Sequence, residues 1–154
     1  YHEALLKSMI AVGNRVPSKE KGVLLSSGPT KSKIDLLDAA KILQESGYKI
    51  YATSGTSKFL GENGVDTEVL HWPDSEQKPN VMDYLRQRKI DLVVNIPKNL
   101  TQREIENGYK IRRGAIDHNI PLMTNVRLAK AFIEAFTAIG LDDVKIKSWQ
   151  EYNA

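Results

Sequence analysis

The 154-residue sequence contains no cysteine, which excludes disulfide bonds, thiol catalysis and cysteine-bound metal. It has only three histidines, His2, His71 and His118, and no two of them are spaced i, i+4 as a metal-binding pair on a helix would be. Aromatic residues make up 7% of the chain, and no run of about 18 apolar residues occurs. We therefore predict neither a metal site nor a membrane-spanning helix.

The sequence also has only a small excess of positive over negative charge. Lysine and arginine total 22 and aspartate and glutamate total 19, giving a net charge of +3. The basic residues are interleaved with acids instead of forming the clustered stripe that nucleic-acid binding requires. A hydrophobic fraction of 41% is typical of a globular domain with a real core. The composition predicts one domain that favours small anions over nucleic acid.

Short apolar runs alternate with helical patterns along most of the chain. Alternation of this kind predicts an α/β fold, a doubly wound and mostly parallel sheet of about five strands flanked by helices. The predicted strands are 23–26, 48–52, 67–70, 91–96 and 122–124. The predicted helices are 2–12, 31–46, 57–63, one beginning near residue 81, 109–118 and 126–139, with 98–107 as a polar loop or short helix and 144–152 as an edge strand or cover.

The second predicted strand ends in the turn Thr53-Ser54-Gly55-Thr56, immediately before a helix. The hydroxyl groups are hydrogen-bond donors, Gly55 permits close approach of a ligand, and the start of a helix has unpaired N–H groups. Together these features suit a phosphate or a carboxylate. The alternative is a strand-to-helix turn with a threonine or serine N-cap and no ligand.

Other polar side chains follow neighbouring strands, and ligands of such sheets bind beyond the carboxyl ends of the strands. These candidates are Ser27 with Lys33, Trp72, and Asn95 with Lys98. Taken singly, the lysines could be solvated and Trp72 could pack in a loop, whereas an asparagine in an apolar strand needs partners. Their convergence on one sheet edge predicts an anion-binding site.

Four segments also match a known pattern: Tyr-Ala-Thr-Ser-Gly-Thr at 51–56, Val-Val-Asn-Ile-Pro at 93–97, Ile-Arg-Arg-Gly-Ala at 111–115 and Ile-Pro-Leu-Met-Thr at 120–124. With them the chain resembles the methylglyoxal-synthase-like domain, in the form found at the C-terminus of the carbamoyl-phosphate synthetase large subunit. The resemblance implies three parts: a helix and linker from the preceding region of the parent at 1–21, a regulatory domain at 22–140, and a tail at 141–154.

The resemblance implies a regulatory domain, without catalytic residues, resident metal or cofactor, that binds a small anionic effector. Bacterial versions bind UMP or IMP, animal pyrimidine-pathway versions respond to UTP and phosphoribosyl pyrophosphate, and urea-cycle versions bind N-acetyl-L-glutamate. The partners implied are the other domains of the parent synthetase, which uses ATP and Mg²⁺. The cytoplasm is the expected location, with mitochondria open for a urea-cycle parent.

Residue by residue, the resemblance matches Ser27, Lys33, Thr53 and Thr56 to the phosphate positions and Asn95 to an effector-binding asparagine. Trp72 stands where animal members have tryptophan and many bacterial members have lysine. Lys98 and Asn107 match asparagines of the N-acetylglutamate form, from which Lys98 and the Ser54-Gly55 pair depart. The predicted effector-binding set is therefore Ser27, Lys33, Thr53, Ser54, Gly55, Thr56, Trp72, Asn95, Lys98 and Asn107, and it leans towards a nucleotide-like ligand.

Two alternatives remain. Methylglyoxal synthase shares the fold and eliminates phosphate from dihydroxyacetone phosphate, which needs a carboxylate base beside the phosphate. Here the first strand ends in Ser26-Ser27-Gly28, and the carboxylates available elsewhere are Glu104 and the loop residues Asp74, Glu76 and Asp83. The second alternative is an interaction module whose pocket binds no ligand.

Overall fold

A computed structural model describes residues 2–11, 15–28, 30–97 and 100–138. The described residues form a five-stranded, all-parallel sheet in the order β3-β2-β1-β4-β5 with helices between the strands. Lys98, the predicted strand at 144–152 and the predicted tail at 141–154 lie outside these residues. The elements are α1 (His2–Ala11), β1 (Gly22–Ser27), α2 (Thr30–Glu45), β2 (Lys49–Ala52), α3 (Ser54–Glu62), β3 (Glu68–Val69), α4 (Val81–Arg86), β4 (Ile90–Ile96), α5 (Gln102–Asp117), β5 (Leu122–Met123) and α6 (Val126–Ala138).

The predicted fold class is confirmed, and all five predicted strands are present. Two helices begin at least three residues earlier than predicted. Helix α3 begins at Ser54 instead of residue 57, and α5 begins at Gln102 instead of residue 109. The early start of α5 is explained by Thr101, whose hydroxyl accepts a hydrogen bond from the Glu104 amide at 3.1 Å and so caps the helix.

Both faces of the sheet are covered, which explains why β4 is apolar along almost its whole length. Side chains of β1 alternate between two cores. Val23 and Leu25 pack with α1, α2, α3 and α6 on one face, and Leu24 packs with α4 and α5 on the other. We call the second face the α4–α5 face. This assignment matters because it decides where each polar side chain at the strand ends points.

The segment before β1 is fastened to the amino edge of the sheet. Asp91, at the start of β4, is buried and accepts hydrogen bonds from Arg15 Nη2 at 3.1 Å and from the Ser18 amide at 2.7 Å. The Tyr48 hydroxyl donates to the Pro17 carbonyl at 2.9 Å. Burial, with the nearby Asp91 charge, raises the pKa of Tyr48 to about 12. The stretch predicted to be a linker therefore packs on the domain.

Within the described ranges, none of the helices has both the length and the apolar character needed to cross a bilayer.

Candidate ligand-binding site

A cavity of about 680 Å³ lies beyond the carboxyl ends of β1, β2 and β4. The chain leaves β1 towards β2 and leaves β4 towards β5, in opposite directions, so these two neighbouring strands form the switch point at which open α/β sheets bind ligands. The lining comes from Lys33 and from residues within the segments 26–28, 53–56, 71–77, 95–96 and 101–112. Segments distant in sequence thus meet at one edge of the sheet.

Eight of the predicted residues line this cavity: Ser27, Lys33, Thr53, Ser54, Gly55, Thr56, Trp72 and Asn95. Lys98 lies outside the described residues. Asn107 is buried but is not part of the lining. Its Oδ1 accepts from the Asp74 amide at 3.0 Å and its Nδ2 donates to the Arg103 carbonyl at 2.9 Å. Asn107 therefore supports the wall of the cavity from behind.

A row of polar side chains crosses three strands on the α4–α5 face. Ser26 is in register with Asn95 of β4, and Thr53 follows directly on Ala52, the partner of Leu25 in β2. The Thr53 hydroxyl donates to Ser26 Oγ at 3.2 Å. Ser26 was not among the predicted site residues, although the alternation of side chains along β1 places it on the same face as Leu24. We call Thr53, Ser26 and Asn95 the polar row.

Ser27 points to the opposite face and meets the start of α3. Its amide donates to Thr56 Oγ1 at 3.1 Å, and the Thr56 hydroxyl lies 3.4 Å from the Ser27 carbonyl, so Thr56 joins α3 to the end of β1. The Ser27 hydroxyl is buried and has no hydrogen-bond partner within the described part of the chain. Buried hydroxyls normally have a partner, and this one belongs to the cavity lining.

The turn before α3 is open to an anion. Thr53 occupies the N-cap position with extended φ of −69° and ψ of 158°, but its side chain forms no capping hydrogen bond. A cap without a ligand, the alternative considered above, would have placed that hydroxyl on a helix amide. Lys33 Nζ lies 3.9 Å from the point where a Cβ on Gly55 would stand. A cation and the amino end of a helix thus face the same space.

The opposite wall is built by the loop around residues 71–77 and by α5. The guanidinium of Arg103 lies over the Trp72 ring, with 5.0 Å between its central carbon and the ring centroid. The same guanidinium donates to both carboxylate oxygens of Asp74, at 2.7 and 3.1 Å. The cation–π contact and a two-point ion pair therefore fasten the loop to the first turn of α5.

The charges of the lining favour a negative ligand. Its cationic side chains are Lys33, Arg103 and Arg112, and its carboxylate is that of Glu104, which accepts from the Thr101 hydroxyl at 2.9 Å. Asp74 neutralises Arg103. Neither Lys33 nor Arg112 forms an ion pair with any residue in the described ranges. Two cations without a counter-charge raise the local concentration of anions.

Residues 35–124 match the MGS-like domain family. The chain belongs to this family. It is 42% identical over 145 residues to the multifunctional protein URA2 of Saccharomyces cerevisiae. This alignment covers 88% of the present chain and 6% of URA2. It is 39% identical over 132 residues to the carbamoyl phosphate synthase large chain of Clostridium botulinum, covering 86% of this chain and 12% of that one. The chain thus spans a small part of the length of these relatives.

A solved structure supports the fold of this MGS-like domain. Methylglyoxal synthase from Elizabethkingia anophelis superposes with a TM-score of 0.51 at 17% identity, over 74% of this chain and 78% of the other. At that identity the similarity concerns the fold alone. The family and the fold predicted from the sequence motifs are both confirmed.

Arg112 is another site residue of this MGS-like domain that the sequence reasoning missed, although it lies in the Ile-Arg-Arg segment used for the resemblance. Its Nη1 donates to Asn95 Oδ1 at 2.7 Å. One turn earlier stands Gly108, where an added Cβ would lie 3.0 Å from Nη1. Residues 98–107 were predicted as a polar loop or short helix separate from the helix at 109–118, so Arg103, Glu104 and Gly108 were not placed on the same helix as Arg112.

The Asp74–Arg103 contact gives a direct titration test. The Arg103 hydrogen bond, followed by the contact with Asn107, lowers the pKa of Asp74 from its ordinary value of 3.8 to about 2. Its folded-state pKa lies below the unfolded value, so the stabilisation is complete above about pH 4 and disappears as the pH falls through 2. We expect NMR titration of the Asp74 carboxyl carbon to give a midpoint near 2.

The midpoint should rise towards the ordinary value in Arg103→Met. Arg113→Met is the matched control, because Arg113 lies on the same helix and pairs with Asp117. An unchanged Asp74 midpoint in Arg103→Met would contradict the assignment of the pKa shift to this contact.

Proposed function

We propose that this MGS-like domain binds a small anionic effector in the cavity and thereby regulates carbamoyl phosphate synthesis by a longer protein. The observation that carries the proposal is the pair of cations, Lys33 and Arg112, that lack a counter-charge among the described residues and line the same cavity as the polar row. Arg112 donates to the buried Asn95 amide, and Lys33 lines the same cavity as the buried hydroxyls of Ser27, Thr53 and Thr56.

A phosphate is the anion that the β2 side of the cavity suits best. Lys33 supplies a point charge over the turn at Gly55, and α3 begins at Ser54. Point charge, hydroxyl donors and helix amides are the usual partners of phosphate oxygens. A volume of about 680 Å³ is within the usual range for a small-molecule site and has room for a nucleotide. A phosphorylated, nucleotide-like effector is therefore favoured.

Regulation requires more than binding, because a ligand shifts an equilibrium only if it binds two states with different affinity. The relatives of this chain are carbamoyl phosphate synthase large chains and multifunctional proteins many times its length. An effector in this cavity would contact the ends of β1, β2 and β4 together with the loop and helix of the opposite wall. Such a ligand would change how firmly these segments are held, and that change is what a partner domain can sense.

The test is a thermal-shift and calorimetric titration of the domain with UMP, UTP, IMP, N-acetyl-L-glutamate and dihydroxyacetone phosphate. We expect a nucleotide to raise the melting temperature, since a ligand at 100 times its Kd stabilises the native state by about 2.7 kcal/mol. Lys33→Met should weaken binding by roughly 10- to 100-fold, because a charged hydrogen bond is lost. Lys41→Met, an exposed position on the same helix, is the matched control and should change nothing.

Other outcomes identify the alternatives. Consumption of dihydroxyacetone phosphate with release of inorganic phosphate would replace the proposal with a lyase. Binding of none of the five compounds would replace it with an interaction module. In a full-length protein that contains this segment, Lys33→Met should remove the response to the effector and leave basal synthesis unchanged.

A further inference from the structure

We propose that Arg112 determines what the β4 side of the cavity recognises, by fixing the orientation of the Asn95 amide so that its NH₂ donors, and not its oxygen, face the ligand. This inference deepens the proposed function and depends on it. It assigns to the effector a second feature besides its negative charge, namely an acceptor oxygen at the end of the molecule that lies over β4.

The argument begins with the side-chain amide of Asn95. An asparagine presents either an acceptor oxygen or two N–H donors, and its neighbours decide which one points where. Arginine has donors and no acceptor, so the oxygen of Asn95 must face Arg112, as the 2.7 Å contact from Nη1 to Oδ1 shows. The Nδ2 group then points away from the guanidinium, and it forms no hydrogen bond with the described residues.

The environment makes this orientation costly to reverse. Asn95 is 3% exposed, so a flipped amide would place its NH₂ donors against the guanidinium donors with little water to separate them. Asn95 nevertheless lines the cavity. Because its Oδ1 faces Arg112, its Nδ2 group is the one available to a ligand. Gly108 contributes by leaving the space through which the Arg112 guanidinium passes, since an added Cβ would lie 3.0 Å from Nη1.

The neighbouring member of the polar row can also donate to a ligand. The Ser26 hydroxyl accepts a hydrogen bond from the Thr53 hydroxyl, so its own O–H can donate to a ligand. Lys33, Ser26 and Asn95 all line the cavity, and they thus offer donors from its β2 side to its β4 side. A ligand that brings an amino group to the β4 side would leave two donors facing each other in a buried place, which is penalised more than a missing hydrogen bond.

UMP and CMP are a suitable pair of probes, because ring position 4 carries a carbonyl acceptor in UMP and an amino donor in CMP, while the adjacent N3 is a donor in UMP and an acceptor in CMP. We expect native protein to bind UMP about 10- to 100-fold more tightly than CMP. In Asn95→Asp the carboxylate keeps an acceptor on Arg112 and places a second acceptor towards the ligand, so the UMP-to-CMP ratio should fall to one or below. The ratio isolates amide orientation from the general loss of anion affinity that the new charge causes.

Arg112→Met should also reduce the ratio, because the amide is then free to adopt both orientations. Arg113→Met, the neighbouring arginine paired with Asp117, should leave it unchanged. A second measurement needs no ligand: the Asn95 side-chain NH₂ signals in the nitrogen-15 spectrum should shift or broaden in Arg112→Met and stay sharp in Arg113→Met.

The outcomes separate the two proposals. Equal affinity for UMP and CMP, with both bound, would overturn this inference and leave the proposed function standing. Unaltered Asn95 NH₂ signals in Arg112→Met would overturn it as well, whatever the ligands do. Binding of no compound in the full panel would remove the proposed function, and this inference with it, even if the Asn95 signals respond.

Discussion

Deletion of residues 1–21 is expected to leave the remaining chain without a stable fold. Helix α1 places Leu6, which is fully buried, and Met9 in the core that also contains α6. Loss of one buried leucine side chain costs about 2–5 kcal/mol. The deletion also removes Arg15 and Ser18 from the buried carboxylate of Asp91, and an uncompensated buried charge costs about 3–5 kcal/mol. The sum is comparable to the whole stability of a domain, about 5–15 kcal/mol.

Urea denaturation followed by circular dichroism measures this effect. Leu6→Ala alone should lower the free energy of unfolding by about 2–5 kcal/mol. Leu128→Ala, at a leucine that is 43% exposed, is the matched control and should cost less than about 1 kcal/mol. A truncated chain that unfolds cooperatively at the same urea concentration as the intact one would contradict the role given to this segment.

The second large effect is expected at Gly22, the first residue of β1. A methyl group there would overlap the edge of the Tyr51 ring and lie 3.3 Å from the Lys49 carbonyl oxygen. Tyr51 cannot easily turn aside, because it is buried and packs edge-to-face on Tyr84 with 5.3 Å between ring centroids. Gly22→Ala should therefore destabilise the domain by about 3 kcal/mol through overpacking.

Gly61 provides the control for that substitution. It lies in α3 with nothing within 4 Å of an added Cβ, so Gly61→Ala should stabilise the domain by about 0.5–1 kcal/mol. Thermal or urea unfolding of both variants gives the comparison. Similar free energies of unfolding for Gly22→Ala and Gly61→Ala would show that the Tyr51 ring yields more readily than its packing indicates.

The sheet could be predicted because its signals are local. Apolar runs bounded by turns predicted each strand, and the rule that ligands bind beyond carboxyl ends selected Ser27, Thr53 and Asn95 without knowledge of any contact. Ser26 could have been found by the same means, since alternation places it in the row with Thr53 and Asn95. The selected residues that line the cavity all lie within a few positions of a strand end.

The opposite wall could not be predicted because its determinants are not local. Arg103 and Asp74 are 29 positions apart, and Arg112 and Asn95 are 17 apart. The first turns of α5 carry few apolar residues, so periodicity gave no sign that the helix begins at Gln102. Asn107 was predicted as an effector contact, but its partners are the Asp74 amide and the Arg103 carbonyl, and no sequence pattern reveals that pairing.

Asp91, which anchors the segment before β1, is the second residue of strand β4, and Asn95 follows four residues later. The distance between them is only about 13 Å at the usual rise of a strand. Because β4 is buried on both faces, close packing along its length should keep the strand from bending. We therefore expect a displacement of the segment before β1 to be transmitted along β4 to the cavity, so that the two ends of the sheet move together.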